Sequence, residues 1–151
     1  MMVKIAEFDD AGRRTGEAKV EKVVKTDAEW RAELDPMEFQ VARGQGTERA
    51  FTGPLNKNDA DGVYRCVCCG TALFDSRTKF DSGTGWPSFY APIAPENVAN
   101  HVDDSHGIER VENRCPRCEA HLGHLFPDGP QPTGQRYCMN SASLRFTPRG
   151  K

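Results

Sequence analysis

Apolar and polar residues alternate over short stretches through most of this chain, the period of half-buried strands rather than of helices. Val3, Ile5 and Ala6 to Phe8 suggest one strand, Asp10-Ala11-Gly12 a turn, and Ala18, Val20 and Val23-Val24 a second strand. Residues 1–25 therefore read as an N-terminal hairpin extension. Thr26-Asp27-Ala28-Glu29 has the hydroxyl and carboxylate of a capping box and predicts a short helix through Trp30 to Leu34. Asp35-Pro36-Met37-Glu38 restarts the pattern with Pro at the first helical position. Met37, Phe39 and Val41 would supply its buried side, and Gly44 and Gly46 would end it. Residues 47–62 read as a loop, marked by Gly53-Pro54, Asn56, Asn58, Asp59 and Asp61-Gly62. Strand-like runs follow at 63–65, 72–74, 86–90, 108–113, 121–126 and 136–146, with no long helix among them. Pro127, Pro130 and Pro132 with Gly129 and Gly134 mark a rigid loop before the last run. The expected fold is mainly β, an antiparallel body with short N-terminal helices.

Composition narrows the function classes. The 151 residues suit one domain, here residues 26–147 with a tail at 148–151, and an apolar content of 37% is that of a globular chain. Twenty Lys and Arg against 22 Asp and Glu give a net charge of −2, which argues against a nucleic-acid or membrane-surface footprint. No apolar run approaches the roughly 18 residues of a membrane helix. The first ten residues include Glu7, Asp9 and Asp10, and no signal-peptide core follows. A cytoplasmic protein is expected.

Four of the six cysteines form two C-x-x-C pairs, Cys66 with Cys69 and Cys115 with Cys118. Each pair can chelate through two sulfurs on one tight turn, and four thiolates suit a closed, tetrahedral Zn²⁺ site. Both read R-C-x-x-C-x-x-x-L, ending at Leu73 and Leu122, a weak repeat that selects Cys69 over Cys68 as the second ligand. A redox C-x-x-C is the competing reading, but no βαβ pattern surrounds either pair.

Cys138 stands alone in Arg136-Tyr137-Cys138-Met139-Asn140. A lone cysteine is commonly a small buried hydrophobe. Were 136–146 one strand, Arg136, Cys138 and Asn140 would share a face, continued by Ala142, Leu144 and Phe146. A guanidinium beside a thiol favours the nucleophilic thiolate, and the Asn140 amide can donate. In His121-Leu122-Gly123-His124 the two imidazoles would face opposite ways on a regular strand, but Gly123 permits a bulge that turns both to one site. His101 and His106 lie in a polar stretch and read as solvated. Trp86 in Gly85-Trp86-Pro87-Ser88-Phe89 is either a core aromatic or one wall of a pocket for a small apolar group.

Taken together and in order, Gly85 to Phe89, His121 to His124, Arg136-Tyr137-Cys138-x-Asn140-Ser141 and the two C-x-x-C pairs resemble the B-type methionine sulfoxide reductases. The similarity runs from about residue 26 to residue 147. It implies two antiparallel sheets stapled by a four-cysteine zinc site set away from the chemistry, and reduction of the R epimer of methionine sulfoxide in oxidised proteins or peptides. Cys138 would be the nucleophile, oxidised to a sulfenic acid and restored by thioredoxin or another thiol reductant. His121, His124 and Asn140 would position the substrate and help protonate its oxygen. Arg136 would activate the thiol, Asp128 would belong to the supporting polar shell, and Trp86 would receive the substrate methyl group. Many members carry a recycling cysteine where this chain has Thr84, between Gly83 and Gly85. Direct reduction of Cys138 by an external thiol is then favoured over Cys68 as a displaced recycling thiol. A non-enzymatic zinc-stapled domain that binds a protein or nucleic acid is the rival from another class, and it has no use for a lone Cys flanked by Arg and Asn. A zinc deaminase is excluded, because no His or Cys is followed two residues later by Glu.

Overall fold

Thr26 and Asp35 each start a helix by the same reciprocal device. The Thr26 hydroxyl accepts the Glu29 N–H while the Glu29 carboxylate accepts the Thr26 N–H, and Asp35 and Glu38 repeat the exchange. The two boxes place α1 (Asp27–Glu33) and α2 (Pro36–Ala42) back to back in sequence. Trp30 is the buried residue of α1; Val41 and Ala42 are those of α2. Met37, expected on the buried side, is 51% exposed. A helix of two turns buries a single narrow stripe, and Val41-Ala42 occupies it.

The computed structural model describes residues 1–104 and 107–149. His106 lies outside them. The strands are β1 (Met2–Phe8), β2 (Arg14–Glu21), β3 (Gly62–Cys66), β4 (Ala72–Asp75), β5 (Lys79–Phe80), β6 (Ser88–Phe89), β7 (Ala99–Asp103), β8 (Arg110–Arg114), β9 (His121–Phe126), β10 (Arg136–Met139) and β11 (Leu144–Pro148). β1 and β2 form a two-stranded hairpin. The body consists of a six-stranded antiparallel sheet in the order β5-β6-β10-β9-β8-β7 and a three-stranded one in the order β11-β3-β4. Between them lies a core that includes Tyr64, Phe74, Phe89, Leu122 and Met139. Phe74 stacks on Phe89 at 4.4 Å between ring centres, and Tyr64 meets Phe89 edge-on at 5.0 Å.

Two strand expectations need correction. Residues 136–146 are not one strand. β10 ends at Met139, a 3₁₀ turn at Ser141–Ser143 follows, and β11 belongs to the other sheet. The Asn-Ser-Ala-Ser segment bends on its own polar side chains: the Ser143 hydroxyl lies 2.9 Å from the Asn140 carbonyl, within reach also of the Leu122 carbonyl on β9 at 3.1 Å. Hence Ala142, Leu144 and Phe146 do not continue the face of Cys138. His101, read as solvated at the start of a polar stretch, instead lies within β7, half-buried and opposite Glu112.

The N-terminal hairpin docks through the buried Asn97 side chain, while Arg65 reaches the Phe8 carbonyl and Asp10, and Arg14 reaches Glu96. Asn97 accepts the Ala6 N–H at 2.8 Å and returns its amide to the Ala6 carbonyl at 2.9 Å and the Ala72 carbonyl at 2.8 Å. Ile5 and Ala6 are buried at this junction.

Candidate active site and metal centre

The two C-x-x-C turns close different sheets. Cys66–Cys69 links β3 to β4, and Cys115–Cys118 links β8 to β9. The fold brings the four sulfurs within 4.8 Å of one another, and Cys66 to Cys118 is 3.6 Å and Cys69 to Cys115 is 3.5 Å. A disulfide needs about 2.05 Å, whereas four sulfurs about 2.3 Å from a tetrahedral ion lie roughly 3.8 Å apart. The donor set and spacing therefore fit a metal ion, and the four cysteines are positioned to bind one. Cys68 is outside this quartet; it packs against the core beside it.

Cys138 lies elsewhere. Along β10, Tyr137 and Met139 turn into the core while Arg136 and Cys138 turn to a cavity of about 260 Å³. Trp86, His124, Asn140 and Thr84 complete its functional lining. Burial pushes the Cys138 thiol up; the Arg136 guanidinium and the Thr84 hydroxyl oppose that effect. Arg136 is itself held: its Nε meets Asp128 Oδ1 at 2.9 Å, Nη2 meets Oδ2 at 3.2 Å, and Cζ lies 4.4 Å above the Phe126 ring. Asp128 is mostly exposed and reaches the cavity only through Arg136.

The histidines lie on one side of β9 because the strand bulges. Opposite β8, Gly123 pairs with Asn113 but His121 pairs with Arg114, so Leu122 is the extra residue. The imidazole centres are 5.5 Å apart. Gly123, beside the bulge, has a further purpose: a Cβ there would collide with the Cys138 carbonyl oxygen, so glycine lets β9 approach β10. His121 Nδ1 contacts Glu112 Oε2 at 2.6 Å, and His124 Nε2 contacts Asp103 Oδ2 at 2.9 Å. Glu112 also receives Arg114, and Asp103 receives Arg110. Burial lowers the pKa of His121 against the pull of Glu112. For Glu112, burial alone would raise the carboxyl, but hydrogen bonds from Arg114 and His121 outweigh it and the net direction is down. His121 does not line the cavity of Cys138; it lines an adjoining polar one of about 170 Å³, which shares His124 and Arg110 with the first. Its Nε2 is buried without a protein partner.

Sequence reading missed Glu48. It is 4% exposed and lies in the segment read as loop. Its carbonyl accepts the Trp86 indole N–H at 2.9 Å, its N–H goes to the Asn140 side chain at 3.0 Å, and its carboxylate caps Ala142 N–H at 2.9 Å. The Asn140 side chain is held by the Glu48 N–H on its oxygen and by the Leu122 carbonyl, at 3.1 Å, on one of its two N–H groups, and it also lines the cavity. Glu112 and Asp103 were missed as well. A larger hollow of about 520 Å³, bordered by Phe51, Lys79 and Phe80, includes no Cys or His in its lining.

Residues 34–148 match the SelR domain family. The chain is 61% identical over 131 residues to a "Peptide methionine sulfoxide reductase MsrB" of Methylibium petroleiphilum, covering 87% of this chain and 95% of that protein. It is 58% identical to proteins of the same name from Pseudomonas fluorescens, over 86% of this chain and 99% of theirs, and from Thiobacillus denitrificans, over 83% and 95%. The chain belongs to the MsrB family of peptide methionine sulfoxide reductases. As an MsrB member it is an oxidoreductase whose β body carries a four-cysteine cluster separate from its cavity. The N-terminal hairpin precedes the matched MsrB segment. Among the described residues no helix is long and apolar enough to cross a membrane.

Proposed function

We propose that this protein reduces methionine-R-sulfoxide in oxidised proteins or peptides, with Cys138 as the nucleophile. The observation that carries the reading is a thiol opening into a cavity together with an indole, an imidazole and a guanidinium. The Cys138 sulfur attacks the sulfoxide sulfur; the oxygen transfers to it as the sulfur–oxygen bond to the substrate breaks. In net terms a thiol and a sulfoxide become a sulfenic acid and a thioether. A sulfoxide oxygen leaves only when protonated, so an acid must stand beside it. His124 in the cavity, with His121 behind it, supplies that proton directly or through water. Asp103 and Glu112 orient the two rings. Trp86, fixed by Glu48, offers its face to the substrate methyl group. Exchanging oxygen and lone pair at sulfur would misplace one of them, which favours a single epimer. Arg136 lowers the thiol against burial, and Asp128 aims Arg136. Asn140 ties the Glu48 segment to β9 and keeps a second amide N–H for the substrate side of the cavity.

The sulfenic acid is then reduced by two external thiols, giving water and their disulfide. Thioredoxin or a similar dithiol in the cytoplasm is the proposed donor, because Thr84 stands beside Cys138 and Cys68 is not in the cavity lining. Zinc is the proposed ion for Cys66, Cys69, Cys115 and Cys118, where it supplies a cross-link between the sheets. The reductase unit is taken as residues 26–147, with residues 1–25 as a docked extension and neither nucleic acid nor membrane as partner. Assay of R- and S-sulfoxide peptides with wild type and Cys138→Ser tests the reading. Turnover of the R epimer alone, abolished in the variant, is expected; retained turnover in the variant overturns it.

A further inference from the structure

Behind Thr84 in the cavity lining, hydroxyl groups follow one another into the protein. Thr84 Oγ1 lies 2.7 Å from Ser82 Oγ, Ser82 Oγ lies 2.8 Å from Ser88 Oγ, and Ser88 Oγ donates to the Trp86 carbonyl at 3.1 Å. Thr84 lines the cavity with Cys138, and Ser88 is the cross-strand partner of Cys138 on β6. A hydroxyl has one proton to donate. A carbonyl only accepts, so the far end of the series sets its direction. Ser88 donates to Trp86, Ser82 to Ser88, and Thr84 to Ser82. Thr84 then turns its lone pairs, not its proton, to the cavity it shares with Cys138; this orientation suits the thiol, and Thr84 lowers the thiol only when it donates.

We propose that Thr84, Ser82 and Ser88 form a reversible hydrogen-bond relay that accepts from the Cys138 thiol and, on reversal, donates to its thiolate. This role rests on Cys138 being the nucleophile. Reversal needs only rotation about three C–O bonds. Thr84 turns its O–H to the sulfur, Ser82 to Thr84, and Ser88 to Ser82. No proton travels along the series, and the number of bonds within it is unchanged. The Trp86 carbonyl loses a neutral hydrogen bond and the sulfur gains a charge-assisted one, roughly twice as strong. Ser88 is fully buried, so water does not readily replace the lost partner. Thr84 is a catalytic residue in this scheme; Ser82 and Ser88 are positioning residues. Reversal also couples ionisation to the backbone that carries the Trp86 plate.

The relay makes predictions of opposite sign. Thr84→Val removes the donor to the thiolate. Ser82→Ala frees the Thr84 proton for sulfur in every state, so the thiolate forms without breaking the bond to Trp86. Alkylation of Cys138 by iodoacetamide across pH, followed by peptide mass mapping on metal-loaded protein, reads thiolate directly. Near neutral pH Thr84→Val should slow it about tenfold, Thr84→Ser should restore it, and Ser82→Ala should speed it a few-fold. The charged and titratable groups around the sulfur stay as they are: Arg136 on its own strand, His124 on β9, Arg110 on β8 and Glu48 in the loop before β3. An unchanged rate in Thr84→Val, or a slowed or unchanged rate in Ser82→Ala, overturns the relay. Those outcomes leave the reductase reading intact, because alkylation does not depend on turnover. Loss of the reading itself would show as sulfoxide reduction by Cys138→Ser.

Discussion

The sulfurs of Cys66, Cys69, Cys115 and Cys118 have one another for neighbours; that of Cys138 has hydroxyl, guanidinium and imidazole groups. The first arrangement is closed: four ligands leave no place for a fifth, and metal held there does not meet substrate. The second is open on one side and only partly compensated, since burial raises the thiol while Arg136 and Thr84 lower it. On the proposed reading, structural and reactive cysteine in one chain differ in whether the surroundings finish the coordination of the sulfur or leave it for a ligand.

The largest effect that would break this contrast is at the closed site. Cys115→Ser should lose the metal and unfold or loosen the body, because structural zinc contributes apparent binding energies of about 10–16 kcal/mol in small peptides. Metal analysis and thermal melting check it; a metal-free variant melting like wild type would make the quartet dispensable. Cys138→Ser should do the reverse, abolishing turnover with metal content and melting temperature retained. His124→Asn should cost about a hundredfold in kcat, the ordinary scale of a positioned acid, with little change in melting temperature. Asp128→Asn should be the mildest, within about threefold in kcat/KM, because an exposed ion pair holds little energy.

How legible these sites were follows from how local their signals are. The metal quartet needs two residues three apart in each turn, and that spacing is in the sequence. The capping boxes at Thr26 and Asp35 are equally local. The partners of the histidines are not. Glu112 and Asp103 reach His121 and His124 only because β7, β8 and β9 pair in a particular register, with a bulge at Leu122. Glu48 carries no local signal, since its three contacts come from Trp86, Asn140 and Ala142. The break after Met139 was signalled by Asn-Ser-Ala-Ser, but alternation on both sides masked it.

A pH profile sharpens the comparison further. The folded pKa of His121 lies below its ordinary 6.5, so the unfolded chain takes up a proton first as pH falls. Stability from this residue is present above 6.5 and is lost as pH falls through the depressed folded value. The melting temperature should therefore decline on acidification below about 6.5, the reference histidine value, and the decline should be shallower in His121→Gln. Glu112, also lowered, adds a second decline at more acidic pH, below its ordinary 4.5.

Transfer of the sulfoxide oxygen to Cys138 is tested most directly by one turnover without reductant. Metal-loaded protein is mixed with one equivalent of an R-sulfoxide peptide and analysed by intact and peptide mass spectrometry after trapping of sulfenic acid. The expected result is one oxygen on Cys138, one equivalent of reduced peptide and four unmodified cysteines in the metal quartet. A disulfide between Cys68 and Cys138, or reduced peptide with Cys138 untouched, would contradict it.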